Sequence, residues 1–181
     1  SKISNSVAAT FSFKSDLGEI RKYIAIDPND YYTPLKEAKS AVANQNIKGT
    51  IFKDAAGNFK DIDYLIITPS AFNSQAEKLA TFHRNYSQLN VKVVNLENIY
   101  QEFSSGKQDI AAIRNLVKYV YDNASSPSNR IKYLNLFGDA SYDFKNRIPG
   151  NTNIVPIYHA TNSYFSGESS FCSDDFFALM D

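Results

Sequence analysis

From Asp63 onward the chain alternates two hydrophobic periods that few architectures satisfy together. DYLIITP, residues 63–69, is a continuous apolar run closed by proline, the pattern of a strand covered on both faces. SAFNSQAEKLATFHRNYSQ follows, with Phe72, Ala76, Leu79, Ala80 and His83 at helical spacing and Ser70 placed to cap. VKVVNL reads as a second strand and LENIYQEFSSG as a short helix ending at Gly106. DIAAIRNLVKYVYDNA carries Ile110, Ile113, Leu116, Val117 and Val120 on one side of an amphipathic helix. After a loop, SSPSNR, IKYLNLFGD reads as a third strand and NIVPIYHA as a fourth. Strands separated by helices require crossover connections, so the pattern predicts an α/β fold with a mainly parallel sheet and helices on both faces.

Residues 1–61 differ in texture. ATFSFKS and RKYIAID read as short strands around a turn at Asp16, Leu17 and Gly18, a short helix is expected over Leu35 to Val42, and DAAGNFKDID is a polar link. The expected organisation is therefore the end of a β-rich region plus linker over 1–61 and a main domain over 62–181. A length of 181 residues allows one sizeable core. Nineteen basic residues balance nineteen acidic ones, which excludes gathering nucleic acid or anionic membrane by bulk field. Cys172 is the single cysteine, so there is no internal disulfide framework. No apolar run reaches the roughly 18 residues of a membrane span, and no charged-then-apolar leader opens the sequence. The start at SKISN, and an end at FFALMD inside a hydrophobic element, create the expectation of a piece of a longer polypeptide.

The residues that carry chemistry concentrate late in the chain. In open parallel sheets, ligands gather outside the carboxyl ends of the strands. Asp139 follows Gly138 at such an end, where it can support a cleft or cap a turn, and Asp27 after RKYIAI is a weaker analogue. His83, on a helix expected to pack against the sheet, reads as structural. His159 is a candidate base or ligand, yet no histidine or cysteine stands at metal-like spacing around it. Cys172 is the one available thiol, and a cysteine–histidine pair needs its groups within about 3 Å, which sequence spacing neither supplies nor excludes here. The neighbouring acids Asp174 and Asp175 disfavour a thiolate beside them. Those acids themselves read as helix-cap charge after Ser173, as a pocket carboxylate selecting a basic group, or as calcium ligands. Neither GxxxxGK[ST] nor a GxGxxG after a strand occurs, which argues against nucleotide binding.

Four stretches in order, NQNIKG with DYLIITPSAF, EFSSGKQDIAAIRNLVKYVY, YLNLFGDASYD, and VPIYHATNSYFSGESSFCSDDFFALMD, together resemble the amino-terminal part of a gingipain-type cysteine peptidase domain. Within that family the likeness is greatest to the sortases of the type IX secretion system. The resemblance implies a caspase-like domain of two side-by-side subdomains, of which this chain supplies the first. It implies that the catalytic histidine and cysteine lie beyond Asp181, and neither His159 nor Cys172 matches them. The isolated chain is then expected to be inactive. Asp139 stands at the family's GD, and Asp174 at or next to the acid with which arginine-specific members pair a substrate side chain. Asp139, Asp174 and Asp175 are thus candidates for cleft support or a substrate pocket. No cofactor is expected, apart from a calcium ion that Asp174 and Asp175 could hold, and the resemblance implies a surface location at the outer membrane. Its implied partners are the remainder of the polypeptide, secreted proteins with C-terminal signal domains and other secretion components, without nucleic acid. The alternative left open by the residues is a standalone flavodoxin-like binding or protein-interaction module, although no βα turn offers it a phosphate loop.

Overall fold

The structure, a computed structural model, describes residues 44–145, 147–160 and 171–180, with isolated positions between 14 and 33. Asp27, and the strands and helix expected between residues 9 and 42, lie outside these. The chain divides into two compact units, Ser1–Val42 and Ala43–Asp181. All elements named below belong to the second.

Three strands, β1 (Tyr64–Thr68), β2 (Val91–Asn95) and β3 (Tyr133–Leu136), form a parallel sheet in the order β2-β1-β3. The register sets Tyr64 beside Val91 on one side and beside Tyr133 on the other. Helix α2 (Asn73–Tyr86) connects β1 to β2, while α3 (Leu96–Phe103) and α4 (Ile110–Asp122) connect β2 to β3.

The central strand is buried along its whole length, which is why YLIIT shows no polar alternation. Its side chains divide by parity. Tyr64 and Ile66 pack with Val91 against Ala76 and Ala80 of α2. Leu65 and Ile67 face the opposite layer, a core that includes Ile99 of α3 and Ile113, Leu116, Val117 and Val120 of α4. Each fully buried aliphatic side chain here contributes roughly 1.5–3 kcal/mol of transfer free energy. The sheet is therefore covered by helices on both faces, as the two hydrophobic periods require.

Local chemistry fixes the element ends. Asp109 accepts from the Ala111 N–H at 2.9 Å and starts α4. After α3, Gly106 adopts φ +83° and its N–H returns to the Tyr100 carbonyl at 2.7 Å, closing the helix as the sequence suggested. Ser70 behaves differently from expectation. It opens a 3-10 turn, Ser70–Phe72, and its N–H and hydroxyl both donate to the Glu97 carboxylate instead of capping α2, whose N-cap residue is Phe72.

Residues ahead of β1 also join this unit. Helix α1 (Ile47–Thr50) rests on α3 because the Glu102 carboxylate accepts from the N–H groups of Ile47 and Lys48 at 2.5 and 2.9 Å. Ile47, Ile51 and Phe52 then enter the core of the α3–α4 layer.

The expected fourth strand is much shorter than NIVPIYHA and does not extend the parallel sheet. Only β4 (Tyr158–His159) forms, pairing antiparallel with β5 (Cys172–Ser173). Ile154 and Val155 instead donate their N–H groups to the Asp139 carbonyl, both at 2.9 Å, and Pro156 has no N–H to give. The last element, α5 (Asp175–Ala178), packs on α4 through Phe177, which is completely buried. Among the described residues no helix is long and apolar enough to cross a membrane.

Candidate functional site

The carboxyl ends of β1 and β3 are joined by side chain and backbone. Thr68, fully buried, ends β1, while Phe137, Gly138 and Asp139 follow β3. Gly138 is required by a crossing: a Cβ there would stand 2.5 Å from Val155 Cγ2 and 3.1 Å from Ile154 Cγ2. The YLNLFGD strand thus exits beneath the returning NIV segment, which hydrogen-bonds to the very next carbonyl.

Asp139 is exposed and its carboxylate is engaged within this loop. Oδ1 accepts from the Ala140 N–H at 2.9 Å and Oδ2 from the Thr152 hydroxyl at 2.5 Å. These contacts make Asp139 the clasp between the two ends of the 139–155 loop. At the carboxyl end of β2, the Asn95 Oδ1 is buried and makes no hydrogen bond.

Asp143, four residues after Asp139, is the buried anchor of the same loop. Its Oδ2 accepts from Arg147 N–H at 2.5 Å and Ile148 N–H at 2.7 Å, and its carbonyl accepts from Asn151 Nδ2 at 2.8 Å. The available signal was an acid a few residues ahead of the Pro149-Gly150 turn, where a carboxylate commonly gathers backbone N–H groups. Around this anchor, Tyr142, Phe144, Lys145, Arg147 and Ile148 line an open groove of about 330 Å³.

A larger open groove, about 630 Å³, lies at the other end of the sheet, between α2 and the start of β3. His83 is in its wall, edge-on to Tyr64 at 5.1 Å, with its Nδ1 3.2 Å from the Ser87 hydroxyl. Those contacts give His83 a packing role. The groove is away from the strand carboxyl ends, where parallel sheets assemble their sites.

The β4–β5 ribbon carries the remaining candidates. Cα registration places His159 opposite Cys172 and Tyr158 opposite Ser173. Tyr158 faces inward, stacked on Phe176 at 4.6 Å, with Arg114 5.3 Å from the same Phe176 ring and its Nη1 donating to the Phe176 carbonyl at 2.6 Å. Alternation along the strands then puts His159 and Cys172 together on the outer face, and both are exposed. Ser173 Oγ accepts from the Asp175 N–H at 3.1 Å at the start of α5. Asp174 and Asp175 are both exposed, and the Asp174 side chain makes no cap hydrogen bond to the helix.

The structure thus brings His159 to Cys172, and the GD exit of β3 to the NIV segment. Asp139 spends its carboxylate inside its own loop. Among the described residues, no group of three or more histidine, cysteine, aspartate or glutamate side chains is placed to hold a metal ion.

The family model of peptidase family C25 matches residues 58–181. A search of curated proteins gives no match. Among solved structures, that of dimeric latent PorU from Porphyromonas gingivalis is similar, with a TM-score of 0.56 and 31% sequence identity. That similarity covers 67% of this chain and 12% of the PorU chain.

Proposed function

The chain belongs to peptidase family C25, and from that membership we propose that it forms the first, supporting subdomain of a cysteine endopeptidase and transpeptidase of the type IX secretion system, a sortase of the PorU kind. The observation that carries this reading is the family match over 58–181, coinciding with the parallel sheet and its strand-end loop. The 31% identity to PorU supports the sortase branch.

In this reading the intact protein cleaves the peptide bond ahead of a C-terminal signal domain on secreted cargo. A thiolate contributed beyond Asp181 attacks the carbonyl, an imidazole from the same region protonates the departing amine of the signal domain as the C–N bond breaks, and water or an amine of surface lipopolysaccharide then displaces the thiolate from the acyl-enzyme. The protein works at the cell surface, associated with the outer membrane and other secretion components. This chain supplies a wall of the cleft. The 139–155 loop, fixed by Asp139 and Asp143, stands at the strand ends where that wall belongs, and Asp174 is the candidate for contact with a substrate side chain. Holding such a wall still matters because small displacements of bound groups cost large factors in rate.

The test is cleavage of a signal-domain cargo by the intact polypeptide and by this chain alone. Activity confined to the intact polypeptide, and lost there on reversing the charge of Asp174 with cargo binding weakened, is the expected result. Cleavage by the 181-residue chain alone that disappears in Cys172→Ala overturns it.

A further inference from the structure

The β4–β5 ribbon juxtaposes two metal-ligating side chains that are thirteen positions apart in sequence. Ala160 donates its N–H to the Phe171 carbonyl at 2.9 Å, so that opposed pair is a hydrogen-bonded position of the antiparallel ladder. One step along, His159 and Cys172 must occupy a non-hydrogen-bonded position, where opposed backbones come closest. Side chains at such positions leave the ribbon on the same face with Cβ atoms about 4.5–5.5 Å apart.

The ribbon is held from beneath. Tyr158 stacks on Phe176, Arg114 ties the Phe176 carbonyl, and the neighbouring Phe177 is buried in the core. His159 and Cys172 therefore project from an anchored two-strand platform and are both exposed.

The geometry points to a binding site for a thiophilic divalent cation of the zinc class, with an imidazole nitrogen of His159 and the thiolate of Cys172 as its two protein ligands. Zinc takes nitrogen and sulfur at about 2.0–2.1 and 2.3 Å, which at a tetrahedral angle requires the two atoms to be about 3.6 Å apart. Opposed side chains on a non-hydrogen-bonded pair reach that separation by rotation about χ1 and χ2 alone. Binding releases the thiol proton to solvent and leaves further coordination positions open to water or to a ligand from another molecule. Two ligands on an open face make an exchangeable site, unlike the closed four-ligand arrangement of structural zinc. Such binding is independent of any part the chain takes in peptide-bond chemistry.

Because Cys172 is the single thiol, its alkylation reads the site without ambiguity. The rate of Cys172 alkylation by iodoacetamide is measured by intact mass on the 181-residue chain, with and without zinc ion, for the native sequence, His159→Ala and His159→Gln. Zinc is expected to slow alkylation of the native chain by about tenfold or more and to protect both histidine variants far less. With cadmium ion, a thiolate-to-metal absorption band should appear in the native chain and be missing from Cys172→Ser. An unchanged alkylation rate with zinc, or equal protection of either histidine variant that retains native circular dichroism, overturns the proposal. The second of these outcomes would mean capture by the thiolate alone.

Discussion

The Thr68 hydroxyl donates to the Phe137 carbonyl across 3.0 Å, linking the carboxyl end of the central strand to the exit of β3. Just before it, Phe137 N–H returns a bond to the Ile67 carbonyl at 2.8 Å. Thr68 is completely buried, so its hydroxyl has no exchange with solvent to fall back on. Thr68→Val keeps the shape and removes the donor. It is expected to lower unfolding free energy by about 1–2 kcal/mol, whereas Thr68→Ser keeps the hydrogen bond and loses only a methyl group. Urea titration of the three proteins checks the order.

Gly138→Ala tests the crossing of the β3 exit under Val155. The added methyl meets Val155 Cγ2 at 2.5 Å, so the expected cost is about 1–3 kcal/mol, the range of overpacked sites. Adding Val155→Ala should return part of that loss, giving a favourable coupling in a double-mutant cycle. Additive losses would place the strain elsewhere.

Asp143 is predicted to control the 139–155 loop. Asp143→Ala leaves the N–H groups of Arg147 and Ile148 without their acceptor; both residues are exposed, so water takes its place and the expected cost is about 1 kcal/mol. The loop should then become the first site of limited proteolysis, with new fragments ending between residues 139 and 155. Asp139→Ala, which removes the contacts to Thr152 and Ala140 from an exposed residue, should give a smaller increase in cleavage.

The amino end of the sheet should show the clearest pH dependence. Burial by itself would raise the Asp63 carboxyl, but hydrogen bonds from Lys132 and from the Asn90 N–H outweigh it and hold it below its ordinary 3.8. A depressed carboxyl contributes its full stability above pH 3.8 and loses it as pH falls through the folded value. Lys132, held above its ordinary 10.5 by Asp63, keeps its contribution below that pH and loses it on further alkalinisation. Asp63→Asn should therefore lower the urea midpoint at neutral pH and flatten the acid limb below pH 3.8. A limb equally steep in the variant would assign acid unfolding to other carboxylates.

The fold was legible where hydrophobic periodicity was strong. The uninterrupted YLIIT run, the alternating strand and helix periods, Gly106 and the apolar side of α4 all have direct structural counterparts. NIVPIYHA misled because its residues have high strand propensity while the partner of Ile154 and Val155 is a loop carbonyl rather than a neighbouring strand. Ser70 misled for a similar reason. A serine ahead of a helix resembles a cap, but Glu97, twenty-seven positions away, is a better acceptor for both its donors. Opposition of His159 and Cys172 depends on a two-residue register that no local pattern specifies. Asp143 was accessible in principle through turn chemistry, yet its burial follows from the loop folding over it.

The position of Phe177 has a consequence for how this protein comes into being. All three strands of the parallel sheet, and the helices on both of its faces, have been synthesised by Leu136, but the layer containing α4 also takes in the fully buried ring of Phe177, forty-one positions further on. A nascent chain halted before that phenylalanine leaves the α3–α4 layer without a ring that is buried in it. Such a chain is a substrate for chaperones and a seed for aggregation. Closure of that layer therefore waits on a segment well beyond the last strand of the parallel sheet, the same segment that carries Cys172 and Asp174.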